Sequence, residues 1–369
     1  VTARGSLLQG DDLGPRQIVA LREPRAGLQA FVVVDNVACG PSVGGIRLAT
    51  DITLEEVGRL ARAMTFKNAA AGLPHGGGKA GIVADPATEP SRKETLVRTF
   101  ARMIRDLADY IPGPDMGTNE ACMAWIKDEI GRVVGLPRVL GGIPLDEIGA
   151  TGWGLAAAAE VAAPDVKLSL SGARVAIQGF GAVGRHAARF LTQRGAKLVA
   201  VSDSGGAVQD PLGLDLAALQ QHKHAGASVG TFAGGRPLAR DDLIGVDCDI
   251  WIPAARPDVL TEANVARLRA RLVLQGANIP ATDAAEQWMH GHGILSVPDF
   301  IANAGGVICA AVEYQGGTET QAMAAIAEKI RANTAEVLGR ARAGATLPRQ
   351  AAVEMARARV TEAMAYHRP

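Results

Sequence analysis

Arg174-Val-Ala-Ile-Gln178-Gly-Phe-Gly-Ala-Val-Gly184-Arg-His-Ala-Ala-Arg-Phe-Leu-Thr-Gln-Arg194-Gly195 is the stretch on which the reading of the fold turns. A β-branched run of strand length leads into Gly179-Phe-Gly181-Ala182-Val183-Gly184, and a helical segment then closes at Gly195. In that setting the three glycines allow a tight turn, close approach of backbone N–H groups to a pyrophosphate, and close packing of helix on strand. The helix N-terminus then faces the negative charge. The next predicted strand, residues 197–202, ends at Asp203, where an acid can accept hydrogen bonds from ribose hydroxyls, which favours NAD. His222 and Lys223 could instead meet a 2′-phosphate, so NADP stays open.

Working outward, further strands are expected at residues 249–253, 272–275 and 294–297, with helical stretches between them, which is the alternation of an α/β domain. At 369 residues the chain is long enough for two cores, because single cores stop growing at roughly 250–300 residues. The expected fold class is α/β with two domains and a cleft between them. An N-terminal α/β substrate and oligomerisation domain covers 1–148, and a Rossmann-like dinucleotide-binding domain covers 149–330. The Ala/Arg-rich end, 323–366, reads as helical.

Lys+Arg and Asp+Glu both total 38, so no global field attracts a polyanion, and nucleic acid is not an expected partner. Cys39, Cys122, Cys248 and Cys309 are scattered without a C-x-x-C pair, which fits neither a disulfide framework nor a zinc site and suits a reducing compartment. His290 and His292 lack a carboxylate or cysteine companion, so no metal is expected. No basic-plus-apolar leader precedes Leu7 and no apolar run approaches the roughly 18–20 residues that span a bilayer, although the chain begins at Val1. A cytoplasmic protein without a membrane partner is expected.

In the first half, residues 31–35 read as a buried strand. Thr53 with Glu56 reads as a capping box opening a helix to about Ala71, and a second helix is expected from about Ser91 to Tyr110. Leu73-Pro-His-Gly76-Gly77-Gly78-Lys79 fails as a phosphate loop, since Leu73 and Ala80 stand where Gly and Ser/Thr are required. The glycines are expected to let a small molecule lie against backbone beside an ammonium group. Lys67 follows Leu60 and Met64 on an apolar stripe; it either snorkels at a helix end or meets an anion. With Lys79 nearby, one ammonium could bind a carboxylate while the other, its pKa lowered by burial and by the first charge, acts as a base. Asp115, in Ile111-Pro-Gly113-Pro-Asp115, is placed in a stiff turn, as a cap or as a catalytic acid.

Gly44-Gly45-Ile-Arg47, Met64-Thr-Phe-Lys67-Asn, Leu73-Pro-His-Gly-Gly-Gly-Lys79, Pro114-Asp115-Met-Gly-Thr-Asn119-Glu, Gln178-Gly-Phe-Gly-Ala-Val-Gly184, Gln275-Gly-Ala-Asn278 and Pro298-Asp-Phe-Ile-Ala-Asn303-Ala-Gly-Gly306 together resemble the glutamate/leucine/phenylalanine/valine dehydrogenase family, in family order from about Gly40 to Gly316. The resemblance implies NAD(P)-dependent oxidative deamination of an L-amino acid to a 2-oxo acid and ammonia. It also implies a homo-oligomer, hexamer or octamer, and helices from about 331 to 369 that return to the first domain. Lys67 would hold the substrate carboxylate with Gly44 and Gly45 lining that site, Lys79 would activate water, and Asp115 would shuttle protons to the amino group. Thr151 and Asn303 would hold the nicotinamide end, and Asn278 would lie near the reacting amino acid.

Glutamate enzymes of the family place a lysine and a serine where this chain has Val43 and Ala310, so the resemblance points to a hydrophobic side chain, branched or aromatic, over glutamate. Gly113 and Ala310 suggest room for a large side chain, with Val307 an aliphatic wall. Glutamate remains the alternative substrate. A non-catalytic dinucleotide-binding regulator is the remote one, against which Lys67, Lys79 and Asp115 stand; a hydroxy-acid dehydrogenase would need His75 as its base.

Overall fold

A computed structural model describes residues 10–366; the reading of the segment before Leu7 and the outermost domain ends lie outside the described residues. The chain forms two compact units, one of residues 10–144, 307–322 and 355–366, the other of residues 145–306 and 323–354. Among the described residues no helix is long and apolar enough to cross a membrane.

The first unit contains β1 (Gln17–Glu23), β2 (Leu28–Asn36), β3 (Ser42–Ala49), α1 (Leu54–Ala70), β4 (Gly76–Val83), α2 (Pro90–Met103), β5 (Tyr110–Pro114) and α3 (Glu120–Ile130). The strands form one sheet in the order β1-β2-β4-β3-β5, antiparallel across β1, β2 and β4, then parallel to β5. Both faces are covered. Ile46, Leu48, Ile82, Phe100, Met123 and Ile126 share the core that includes residues of α2 and α3, while Val33, Ile52, Val57 and Ala61 pack on the α1 side.

Four expectations are corrected here. The triple glycine, expected to let a small molecule lie against backbone, begins the central strand β4 and packs on protein. Its lack of side chains lets neighbours close in, since a Cβ on Gly77 would sit 2.0 Å from the Thr65 backbone nitrogen of α1 and one on Gly76 1.8 Å from the Asn36 carbonyl. The predicted turn before Asp115 is the edge strand β5, where Pro112 and Pro114 are tolerated because one side of the strand needs no donors. α2 accordingly stops at Met103, and Arg132 satisfies the carbonyls beyond it, donating to Ile104, Arg105, Leu107 and Tyr110. On α1, Thr53 accepts the Glu56 N–H as expected, but the buried stripe is Val57, Ala61, Thr65 and Asn68, which leaves Lys67 half-buried on its flank.

The second unit contains α4 (Leu145–Ile148), α5 (Ala150–Ala162), β6 (Arg174–Gln178), α6 (Ala182–Thr192), β7 (Lys197–Asp203), β8 (Gly206–Gln209), α7 (Leu216–His224), β9 (Arg236–Leu238), β10 (Ile250–Pro253), β11 (Leu272–Leu274), α8 (Asp283–Gly291), β12 (Leu295–Val297) and α9 (Asp299–Ala302). Its sheet runs β12-β11-β10-β6-β7-β8-β9 and is parallel from β12 to β7; β8 and β9 add antiparallel strands. The strand order reverses at β6, so the carboxyl ends of β6 and β10 form the switch point at which doubly wound sheets bind ligands.

The chain continues through α10 (Gly305–Tyr314), α11 (Glu319–Gly344) and α12 (Pro348–Met364). Residues 323–354 cluster with the second unit rather than the first, anchored by the Trp153 indole donating to the Met323 carbonyl and by Arg349 among Glu286, Gln275 and Asp299. The later turns of α12 belong to the first unit, where Arg359 donates to the Ala69 and Ala70 carbonyls that end α1.

Candidate active site

Lys79 and Asp115 meet across β3. Lys79 is on β4 and Asp115 follows β5, and β3 lies between those two strands, so neighbouring-strand spacing puts their backbones roughly 10 Å apart. Their side chains nevertheless bridge the gap, with Lys79 Nζ 2.7 Å from Asp115 Oδ2. Gly45 makes this possible. A Cβ there would lie 2.7 Å from the Asp115 Cβ and 3.3 Å from Lys79 Nζ. Gly44 serves the sheet itself, as a Cβ on it would strike the Gly78 carbonyl, and its own carbonyl accepts the buried Tyr110 hydroxyl at 2.8 Å.

Burial lowers the Lys79 pKa by penalising its charged form, against the opposing pull of Asp115; the nearby Arg47 charge lowers it further. Burial works against the Asp115 charge too, but Lys79 and then Arg47 outweigh it and hold the carboxyl below its usual range. The pair therefore combines an ammonium that gives up its proton more readily than a free lysine with a carboxylate that stays ionised.

Arg47 is the residue whose place in the site sequence reasoning missed. Its Nε donates to Asp115 Oδ2 at 3.1 Å and its Nη1 to Glu56 Oε1 at 2.7 Å, tying the first turn of α1 to the acid. Glu56 thus spends its carboxylate on Arg47 instead of completing the capping box. The one signal was the quartet Gly44-Gly45-Ile-Arg47 itself.

Val43 packs with Ile111 and Val134, and Ala310 on α10 joins this apolar cluster. Val307, one turn earlier on α10, is half-buried. Gly113 is buried in β5, and a Cβ on it would lie 3.0 Å from Val134 Cγ2, so that methyl bounds the room beside it.

In the second unit the three glycines of the β6–α6 turn have three different surroundings. Gly179 has φ +96°, which only glycine adopts readily; Gly184 lacks room for a Cβ, which would sit 1.9 Å from the Gly179 carbonyl; and a Cβ on Gly181 would meet nothing. Ala182 and Val183 open α6 without a side-chain cap, leaving N–H groups for an anion. A cavity of about 440 Å³ lies beside this turn, lined by Gln178, Ser204, Lys223, Arg240 and Arg256 among others. Both Asp203 oxygens are engaged internally: Oδ1 accepts from Gly205 N and Ser228 Oγ, and Oδ2 from Val229 N and Lys223 Nζ. Although burial opposes its charge, these partners hold the carboxyl at about 2. All four of its lone-pair positions are therefore engaged within the protein.

Asn303 Nδ2 donates to Asn278 Oδ1 at 3.1 Å, while its buried Oδ1 has no hydrogen-bond partner. Thr151 stands in the first turn of α5, close to Gly306. Underneath, Arg349 Nη2 donates to Asp299 and Gln275, and Asp299 accepts the N–H of Ile279, fixing the segment that carries Asn278. The open glycine turn, the adjoining cavity and the unpaired Asn303 oxygen suit a dinucleotide with a carboxamide at one end.

Comparison with known proteins agrees with this arrangement. The model of the Glu/Leu/Phe/Val dehydrogenase dimerisation domain matches residues 15–132, and that of the glutamate/leucine/phenylalanine/valine dehydrogenase domain matches 141–368. The chain is similar to a glutamate dehydrogenase of Aeropyrum pernix, 38% identical over 322 residues covering 82% of this chain and 77% of the relative. It is similar to an NADP-specific glutamate dehydrogenase of Saccharolobus shibatae, 38% identical over 292 residues covering 76% and 69%. The crystal structure of L-tryptophan dehydrogenase from Nostoc punctiforme superposes with TM-score 0.75 at 26% identity, covering 96% of this chain and 98% of that one. The chain belongs to the glutamate/leucine/phenylalanine/valine dehydrogenase family of NAD(P)-dependent oxidoreductases that act on the CH–NH2 group of amino acids.

Proposed function

We propose that the protein oxidatively deaminates a hydrophobic L-amino acid, with NADP as the better cofactor, and works as a homo-oligomer. The observation that carries the substrate choice is the apolar cluster of Val43, Ile111, Val134 and Ala310. A γ-carboxylate desolvated against these side chains would forfeit several kcal/mol. The names of the Aeropyrum and Saccharolobus relatives favour glutamate as the second reading; the Nostoc relative is named for an apolar amino acid. For the cofactor, an internally satisfied Asp203 beside Lys223, Arg240 and Arg256 suits a 2′-phosphate better than a bare ribose. The match to a dimerisation domain supports the oligomer.

In this reading Lys67 binds the α-carboxylate and the Lys79–Asp115 pair handles protons. A nicotinamide held by Asn303 and the α6 N-terminus would supply the acceptor for the hydride of the substrate Cα. Lys79, deprotonated in its buried site, takes a proton from the water that adds to the resulting imino carbon. Asp115, held ionised and aimed by Arg47, first takes a proton from the substrate ammonium and later returns it to the amino nitrogen of the water adduct; as ammonia leaves, the adduct's hydroxyl proton passes back to Asp115 and the 2-oxo acid remains. Gln178, Gly181 and the α6 N-terminus would hold the phosphates, and Asn303 the carboxamide.

The test is kcat/KM for a panel of L-amino acids, measured with NAD and with NADP at alkaline pH. Valine, leucine or phenylalanine should exceed glutamate by at least about tenfold, and NADP should exceed NAD. A glutamate preference would overturn the substrate choice and leave the chemistry; an NAD preference would return Asp203 to the ribose.

A further inference from the structure

Glu313 takes no part in the chemistry above, yet it is a buried carboxylate three residues beyond Ala310 on the same face of α10. Its Oε1 accepts from the backbone N–H groups of Gly135 (2.7 Å) and Leu136 (3.1 Å), and its Oε2 from that of Ile143 (2.8 Å). Charge-assisted bonds to backbone N–H are the strong kind, and three of them on one buried acid fix the segment they come from. That segment follows α3 and carries Val134. It is pinned on its other side as well, because Val134 N donates to the Pro112 carbonyl of β5 at 2.9 Å. Gly135 accepts this tight docking only as glycine: its φ is +78° and a Cβ would lie 2.4 Å from Pro114 Cδ.

The consequence falls on the substrate. Val134 closes the apolar cluster of Val43, Ile111 and Ala310, and its Cγ2 stands over Gly113, two residues before Asp115. Removing the Val134 methyl groups would open room beside Gly113 and Ala310. We infer that Glu313 is a specificity-positioning residue, which clamps the Val134 segment as the end wall of the side-chain pocket and so selects branched aliphatic amino acids over aromatic ones. The inference rests on the hydrophobic reading of that pocket proposed above.

The experiment compares kcat/KM for L-valine, L-leucine and L-phenylalanine in wild type, Val134→Ala, Glu313→Gln and Glu313→Asp, together with KM for the cofactor. Wild type should favour valine or leucine over phenylalanine. Val134→Ala, which removes two methyl groups and leaves the clamp intact, should raise the phenylalanine-to-valine ratio about tenfold or more, the range that one or two methylenes command in an apolar pocket. Glu313→Gln replaces one acceptor by an NH2 group facing a backbone N–H and should move the same ratio in the same direction by a smaller factor. This should occur through KM for the amino acid, with cofactor KM unchanged. Glu313→Asp keeps the charge, withdraws it by one methylene, and serves if the Gln variant does not fold. Loss of activity toward all three substrates by one common factor, with the ratio unmoved, would reduce Glu313 to a structural role and overturn the inference. An unmoved ratio in Val134→Ala would overturn it as well, while a wild type that turns over no amino acid would remove the proposed function and this inference together.

Discussion

Gly44, Gly76 and Gly77 in the sheet of the first unit and Gly181 at the start of α6 in the second are glycine for opposite reasons. In the first unit Gly44, Gly76 and Gly77 are consumed by protein, since a Cβ at any of them would strike a neighbouring backbone within 2.0 Å. In the second, Gly181 opens on empty space at the N-terminus of α6, and its φ of −84° is one that any residue adopts. A glycine-rich sequence therefore has two physical meanings, close packing and ligand access. They are told apart only by what a methyl group would meet.

That contrast can be broken most sharply at Gly77. Gly77→Ala should destabilise the protein by about 3 kcal/mol or more, because the obstruction is the α1 backbone and no rotamer change relieves it; denaturant melts of the variant measure this. Gly181→Ala should leave the melt within about 0.5 kcal/mol of wild type and raise the cofactor KM by roughly tenfold, a loss of about 1.4 kcal/mol of binding. A destabilised Gly181→Ala with unchanged cofactor KM would erase the distinction.

Two Lys–Asp pairs make a second comparison. Lys223–Asp203 has the lysine as its open partner and serves a turn at the end of β7, whereas in Lys79–Asp115 the lysine is the buried partner, its side chain 8% exposed. Burial and Arg47 both lower the Lys79 pKa. As the base form accumulates with rising pH, kcat/KM for deamination should climb through the lowered Lys79 pKa. Arg47→Gln removes a cation that favours neutral Lys79, so the rising limb should move to higher pH, and activity at neutral pH should fall by about 3–10-fold. A limb that stays in place would detach Arg47 from the base.

The second unit was the more legible because its signals are local. β6 is found at residues 174–178 as the alternation indicated, and the glycine turn follows directly. The first unit hid four of its five strands, β1, β3, β4 and β5. Glycines at the start of β4 and prolines in β5 lack the β-branched signature, and only the neighbouring chains explain them. Arg47, Glu313 and Arg349 carry their meaning in partners up to 178 positions away, for Glu313 the N–H of Gly135, and no periodicity encodes such pairs. Asp203 shows the converse, a residue in the expected place whose oxygens already accept bonds from within the protein.

The central claim is that the buried Lys79 amine, set across Gly45 against Asp115, is the base, while the half-buried Lys67 only binds. Steady-state kinetics of Lys79→Ala and Lys67→Ala with the preferred amino acid test it directly. Lys79→Ala should lose about a thousandfold in kcat, within the range of general acid–base catalysis, whereas Lys67→Ala should raise the amino acid KM by at least about tenfold and spare more of kcat. Equal, mild effects of the two substitutions would contradict the account.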